Sequence, residues 1–146
     1  MSDPWNLERF VEAQATTYAS ALSELRAGHK VGHWIWWIFP QLRGLGSSAH
    51  STYYSLSGVP EAHAYYHHGV LGGRLLECVV AVSAHRDEGV HLVLGCDALK
   101  LRSCLTLFAL AVPQESLFRE VLYDLYEGHE DSLTVTLLAA TQRRPR

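Results

Sequence analysis

Apolar residues recur at helical spacing along most of this chain. Leu7, Phe10, Val11, Tyr18, Ala21, Leu22 and Leu25 repeat on the interval of a single helix face. They follow Asp3-Pro4, a capping residue and a proline suited to the first turn, and run to Gly28, a C-cap. The spacing therefore predicts one helix over this stretch. Gln14 falls on its apolar face, either as a core hydrogen-bond link or as a ligand contact. The next segment, His33 to Ile38, fits both strand alternation and a short helix. With no partner strand of similar character elsewhere, a short helix ending before Pro40 is preferred.

Gly44 to Ser48 reads as a flexible turn whose serines cap whatever follows. Ser57 and Pro60 open a helix to about His68. Beyond Gly69, Gly72 and Gly73 the period resumes with Leu75, Leu76, Val79 and Val82. Asp87 to Leu94 is a short amphipathic piece ended by Gly95. Leu99 to Val112 is strongly apolar and is stopped by Pro113. Glu115 to Tyr126 makes another amphipathic helix, closed by Gly128, and Asp131 or Ser132 caps a last one through Leu137 and Leu138. The pattern predicts an all-α fold, a single compact domain of about six to eight helices, several of them short, over residues 1–142. A basic tail, residues 143–146, follows and reads as solvated.

Composition narrows the class without naming a reaction. At 146 residues, 48% hydrophobic and only 18% charged, the chain has enough apolar mass for one core. A net charge of −3 and a pI near 6.3 argue against a nucleic-acid partner. The cysteines Cys78, Cys96 and Cys104 lack C-x-x-C spacing and read as free thiols of a reducing compartment. No Cys/His spacing suggests a metal despite nine histidines, and no cofactor motif occurs, so neither is expected. The chain shows neither a signal-peptide pattern nor an apolar run of the ~20 residues a membrane span needs. The expectation is a cytoplasmic protein without a membrane partner, of undetermined oligomeric state.

The densest chemistry lies in Gly32 to Ser48, GHWIWWIFPQLRGLGSS, which holds three of the four tryptophans. Large rings beside a few polar groups are the general composition of a ligand pocket. One candidate set is His33, Trp34, Trp36, Gln41, Arg43, Ser47 and Ser48, with Tyr53 following. Its arginine suits a phosphate or carboxylate, and its tryptophans suit a flat ligand. The alternative is an arginine that ties loops together beside a packed aromatic core. A second set is Asp97, Lys100, Arg102, Ser103 and Thr106, where cations on an apolar segment meet either an anionic ligand or an internal carboxylate such as Glu77, Asp97 or Asp131. The third set is Glu127, Glu130 and Asp131 with Thr134, helix-start carboxylates that serve as caps or as a general acid or base.

Five stretches carry a family resemblance: FVEAQ (10–14), ALSELRAGHKVGHWIWWIFPQLRGLGSS (21–48), EAHAYYHHGVLGGRLLEC (61–78), DALKLRSCLTLF (97–108) and EGHEDSLTVTLL (127–138). Together they resemble the bacterial family catalogued as domain of unknown function 1810, sometimes labelled "calpastatin", a label we take to be an error. The resemblance implies a single all-helical domain and brings no activity with it. The chain departs from the family pattern at Gly69 and Gly73, where prolines are usual, in a shortened Gly95-Cys96-Asp97, and at Cys104-Leu105.

Two functions are carried forward. The first is a small-ligand-binding enzyme acting on a phosphorylated or nucleotide-like molecule, by a hydrolase, glycosidase-type or biosynthetic step. Its ligand is anionic with an aromatic ring and is held by Trp34, Trp36, Gln41, Arg43, Ser47, Ser48, Tyr53, Lys100, Arg102 and Ser103. His33, Asp97 and Asp131 would move protons. The alternative is a non-catalytic ligand-sensing or protein-interaction module. Both require the tryptophan-rich stretch to face the basic segment near residue 100.

Overall fold

Ten α-helices make up the computed structural model, which describes residues 2–143. They are α1 (Glu8–Ala15), α2 (Tyr18–Ala27), α3 (Ile35–Ile38), α4 (Ala49–Tyr53), α5 (Val59–His67), α6 (Leu71–Ser83), α7 (Val90–Leu94), α8 (Ala98–Ala111), α9 (Leu117–Tyr126) and α10 (Ser132–Arg143). A 3-10 turn, Gly95–Asp97, leads into α8. Seven of the ten have eight or more residues and α3, α4 and α7 are short, so the count slightly exceeds the six to eight expected with short ones included. Among the described residues the fold is all-α, with one isolated bridge between Leu42 and Leu56. Of the expected basic tail, residues 143–146, only the backbone of Arg143, in α10, falls within the described residues.

The first predicted helix is in fact two. The period breaks at Thr16-Thr17, where the Thr17 hydroxyl donates to Ala13 O and its φ of −126° leaves the helical well. A threonine whose hydroxyl competes for backbone carbonyls is poorly placed in a helix interior. The same hydroxyl accepts the indole N–H of Trp37, so the break is held by a tertiary contact absent from any local pattern. Asp3 caps from a distance: its carboxylate accepts from the amides of Leu7 and Glu8, while Leu7 occupies the N-cap. Gln14 is a core link. It donates to Trp37 O and to the buried Tyr65 hydroxyl, and its oxygen accepts from Arg74.

Helix α8 is the central element, with every residue from Ser103 to Ala109 buried. It packs on α5, α9 and α10, while α6 packs on α2, α5 and α9. A file of rings runs through this core. Phe10 meets Tyr65 edge-on at 5.0 Å, Tyr65 lies 5.7 Å from Phe108, and Phe108 lies 5.4 Å from Phe118. Such pairs add roughly 0.5–1.5 kcal/mol each beyond the area they bury. The file fixes the face of α8 and leaves its first two turns, from Leu99 to Ser103, to meet the segment after α3.

Candidate functional site

A hollow of about 260 Å³ separates the tryptophan-rich stretch from the basic start of α8. Trp36 of α3 and the following Gln41, Leu45 and Gly46 form one wall. Leu99, Lys100, Arg102 and Ser103 of α8 form the opposite one, and Cys96, Asp131 and Leu133 close the ends. Gly46 lets the turn close, since a Cβ there would lie 2.9 Å from that of Ser51 in α4. Ser48 caps α4 by accepting the Ser51 amide, which fixes where the turn ends.

Charge in the hollow is partly compensated. Lys100 reaches Asp97 Oδ1 at 3.0 Å, and the other oxygen of Asp97 takes Lys30 at 2.8 Å. Burial pushes the Asp97 carboxyl up, but the two lysines outweigh it and hold the group below the usual carboxylate range. Arg102 lies 3.5 Å from Asp131 Oδ1, a long contact. Asp131 is held from several sides: its amide donates to the buried Thr106 hydroxyl, and its Oδ2 accepts from the amide and hydroxyl of Thr134. It is therefore the cap of α10, one of the two candidates, Asp131 and Ser132, that the sequence offers.

One donor atom behind each wall has no partner among the described residues, Gln41 Nε2 and Arg102 Nε, both fully covered. A buried donor left unpaired costs about 1–3 kcal/mol. Both residues line the hollow, beside the Lys100 ammonium and the Trp36 ring.

Of the residues singled out in the sequence, Trp36, Gln41, Lys100, Arg102, Ser103 and Asp131 come together here. The others do not. Trp34 is in the core with its indole N–H on Glu24, and Asp97 stands behind Lys100. His33 and Ser47 are exposed and line neither this hollow nor the cleft below, and Ser48 serves as a helix cap. Arg43 and Tyr53 line a separate, more open cleft of about 530 Å³, against Trp5, Arg9 and Glu61. The third set divides as well: Glu130 pairs with Arg119 at 2.6 Å, and Glu127 ends α9 in the left-handed conformation.

The family model described as "Protein of unknown function (DUF1810)" matches residues 4–138. The chain belongs to this family. Its fold is also similar to that in the crystal structure of the conserved hypothetical protein Rv1873 from Mycobacterium tuberculosis. The TM-score is 0.92 at 48% identity, covering 94% of this chain and 99% of that one. The comparison with curated proteins finds no match.

In this DUF1810 chain several residues that shape the two concavities carry no sequence signal of their own. Leu99 and Leu133 belong to apolar helical patterns and would be assigned to the core, yet both are exposed at the hollow. Cys96 looks like one more unremarkable thiol. Arg9 had a usable signal, a charged residue flanked by Leu7 and Phe10, both of them buried. Its partner Glu61 lies 52 positions away, which no local reading connects.

Proposed function

We propose that the hollow between α3 and α8 binds a small anionic molecule whose ring packs on Trp36. The observation that carries this reading is the convergence of Lys100, Arg102 and Gln41 on one hollow beside the Trp36 ring. A phosphate or carboxylate entering there meets the Lys100 ammonium and the exposed part of the Arg102 side chain, both of them cationic. A volume of about 260 Å³ suits one ring with one anionic group, just below the usual range for drug-sized ligands.

A catalytic reading rests on Asp131, whose carboxylate lines the hollow beside Arg102. In that reading the ligand is a phosphorylated or nucleotide-like substrate and Asp131 exchanges a proton with it. Asp131 Oδ2 already accepts twice from Thr134 and Oδ1 faces Arg102, so binding without turnover is the reading the geometry supports best.

Thermal unfolding in the presence of phenyl phosphate, benzoate and adenosine monophosphate tests the binding. A compound at 100 times its Kd adds roughly 2.7 kcal/mol of stability, a rise of several degrees for a domain of this size. Absence of any rise with all three would sink the proposal. Product formation from phenyl phosphate or the nucleotide, lost in Asp131→Asn, would decide for catalysis.

A further inference from the structure

The second cleft is a built site in its own right. Its floor is the Arg9–Glu61 ion pair, at 2.9 Å with side chains only 7% and 3% exposed. Arg9 uses its whole guanidinium inside the protein. It donates to the carbonyls of Trp5, Asn6, Tyr53 and Ser55 and to Glu61. Two of those carbonyls belong to the residues whose rings stand over the cleft, Trp5 at 37% exposure and Tyr53 at 56%. One buried cation thus fixes the backbone beneath both exposed rings, although they come from segments more than forty residues apart. Asn6, between Trp5 and α1, is held at a φ of 54°, a left-handed conformation unusual outside glycine and concentrated at functional sites.

Charge in this cleft does not cancel. Glu61 neutralises Arg9 and also accepts from the Ser57 amide and hydroxyl, so its oxygens are taken. Arg43 stands at the edge, exposed, with one long hydrogen bond to Ser55 at 3.4 Å and no ion pair among the described residues. Its fork presents N–H groups to the cleft in the geometry that matches a carboxylate or a phosphate. With the backbone beneath both rings already fixed by Arg9, a flat ligand stacking on them has only the side-chain rotamers left to order.

We infer that this cleft binds a planar ring bearing one anionic group, the ring against Trp5 and Tyr53 and the anion on Arg43. A volume of about 530 Å³ leaves room for a nucleoside monophosphate as well as for a simple aromatic acid. The inference is independent of the α3–α8 hollow, because the two share no lining residue.

Proton–nitrogen spectra of the full chain, titrated with adenosine monophosphate and with benzoate, read the four tryptophan indoles separately. The expected result is a saturable shift of the Trp5 indole with at least one probe. Arg43→Ala then weakens it by about tenfold or more, the worth of a charge-assisted hydrogen bond. Arg43→Gln, which keeps the stem and a donor near Ser55, gives the same loss if charge is what binds. Lys100→Met, in the other hollow, leaves the Trp5 shift within about twofold. A response by both probes points to ring-plus-anion recognition, and a response by one alone assigns the source. No Trp5 shift at about 10 mM of either probe, well above the Kd of a weak 1 mM site, overturns the inference. So does a shift that Arg43→Ala leaves intact. A response of Trp36 without Trp5 supports the α3–α8 site and refutes this one; the reverse outcome separates them the other way.

Discussion

The ammonium of Lys100 lies 5.4 Å from the centroid of the Trp36 ring, while it donates to Asp97 on its other side. This contact joins the two parts of the chain richest in chemistry across the hollow between α3 and α8. A cation over an indole face contributes about 0.5–2 kcal/mol depending on how dry it is. Lys30 makes the equivalent contact with Trp34, at 4.9 Å, and shares the same aspartate. Two lysines, two tryptophans and one carboxylate therefore brace α3 against the start of α8.

Lys100→Met keeps an apolar stem over Trp36 and leaves Asp97 its bond to Lys30. The fold is expected to survive with a loss of about 1 kcal/mol. Any thermal shift caused by phenyl phosphate should shrink by more than half. Differential scanning calorimetry of wild type and variant, with and without the compound, checks both statements, and an undiminished shift would remove Lys100 from the site.

The three cysteines should react unequally. Burial pushes the Cys78 thiol up to about 12 and raises that of Cys104 well above its ordinary value, so both remain protonated and covered at neutral pH. Cys96 is exposed and lines the hollow. Ellman's reagent is expected to titrate one thiol quickly in the folded protein and three after denaturation, and Cys96→Ser abolishes the fast phase. A ligand occupying the hollow slows that phase. Rapid labelling of more than one thiol would contradict the burial of α6 and α8.

Acid should weaken the brace around Asp97. Its folded carboxyl titrates below the unfolded one, at about 3.9, because Lys30 and Lys100 outweigh the effect of burial. As pH falls, the unfolded chain takes up the proton first. The contribution to stability is therefore present above about pH 4 and is lost as pH drops through the folded value. Urea unfolding of wild type and Asp97→Asn from pH 7 down to pH 3 should show the wild-type advantage shrinking at the acid end. A constant difference would mean the lysines do not hold this group.

Two adjacent glycines at the start of α6 should respond in opposite directions to alanine. A Cβ at Gly72 would sit 1.9 Å from the Tyr66 carbonyl oxygen, so α5 and α6 approach there as only glycine allows. Gly72→Ala is expected to cost at least about 2 kcal/mol through forced backbone movement. At Gly73 a Cβ meets nothing within 4 Å, and Gly73→Ala should stabilise the helix by about 0.5 kcal/mol. Chemical denaturation of the two variants side by side measures the contrast.

Periodicity and its Gly/Pro punctuation were enough for the helical class and the stops at Gly28, Pro40, Pro113 and Gly128, and they narrowed two caps to Ser47 or Ser48 and to Asp131 or Ser132. These depend on backbone geometry within a few residues of chain. They also marked Trp36, Gln41, Lys100, Arg102, Ser103 and Asp131 as chemically dense, because polar groups on apolar segments need partners wherever they go. Tertiary structure decided the grouping. Thr17 breaks the first helix because a distant indole binds its hydroxyl, and Trp34 goes to the core because Glu24 takes its N–H. Arg43 lies only two positions from Gln41, yet it lines a different concavity, with Trp5 and Tyr53 fixed by Arg9. The bonds that hold Thr17, Trp34 and Tyr53 in these places join residues ten to forty-four positions apart. Sequence spacing encodes which groups will need such a bond, and only the packed chain fixes which partner is within reach.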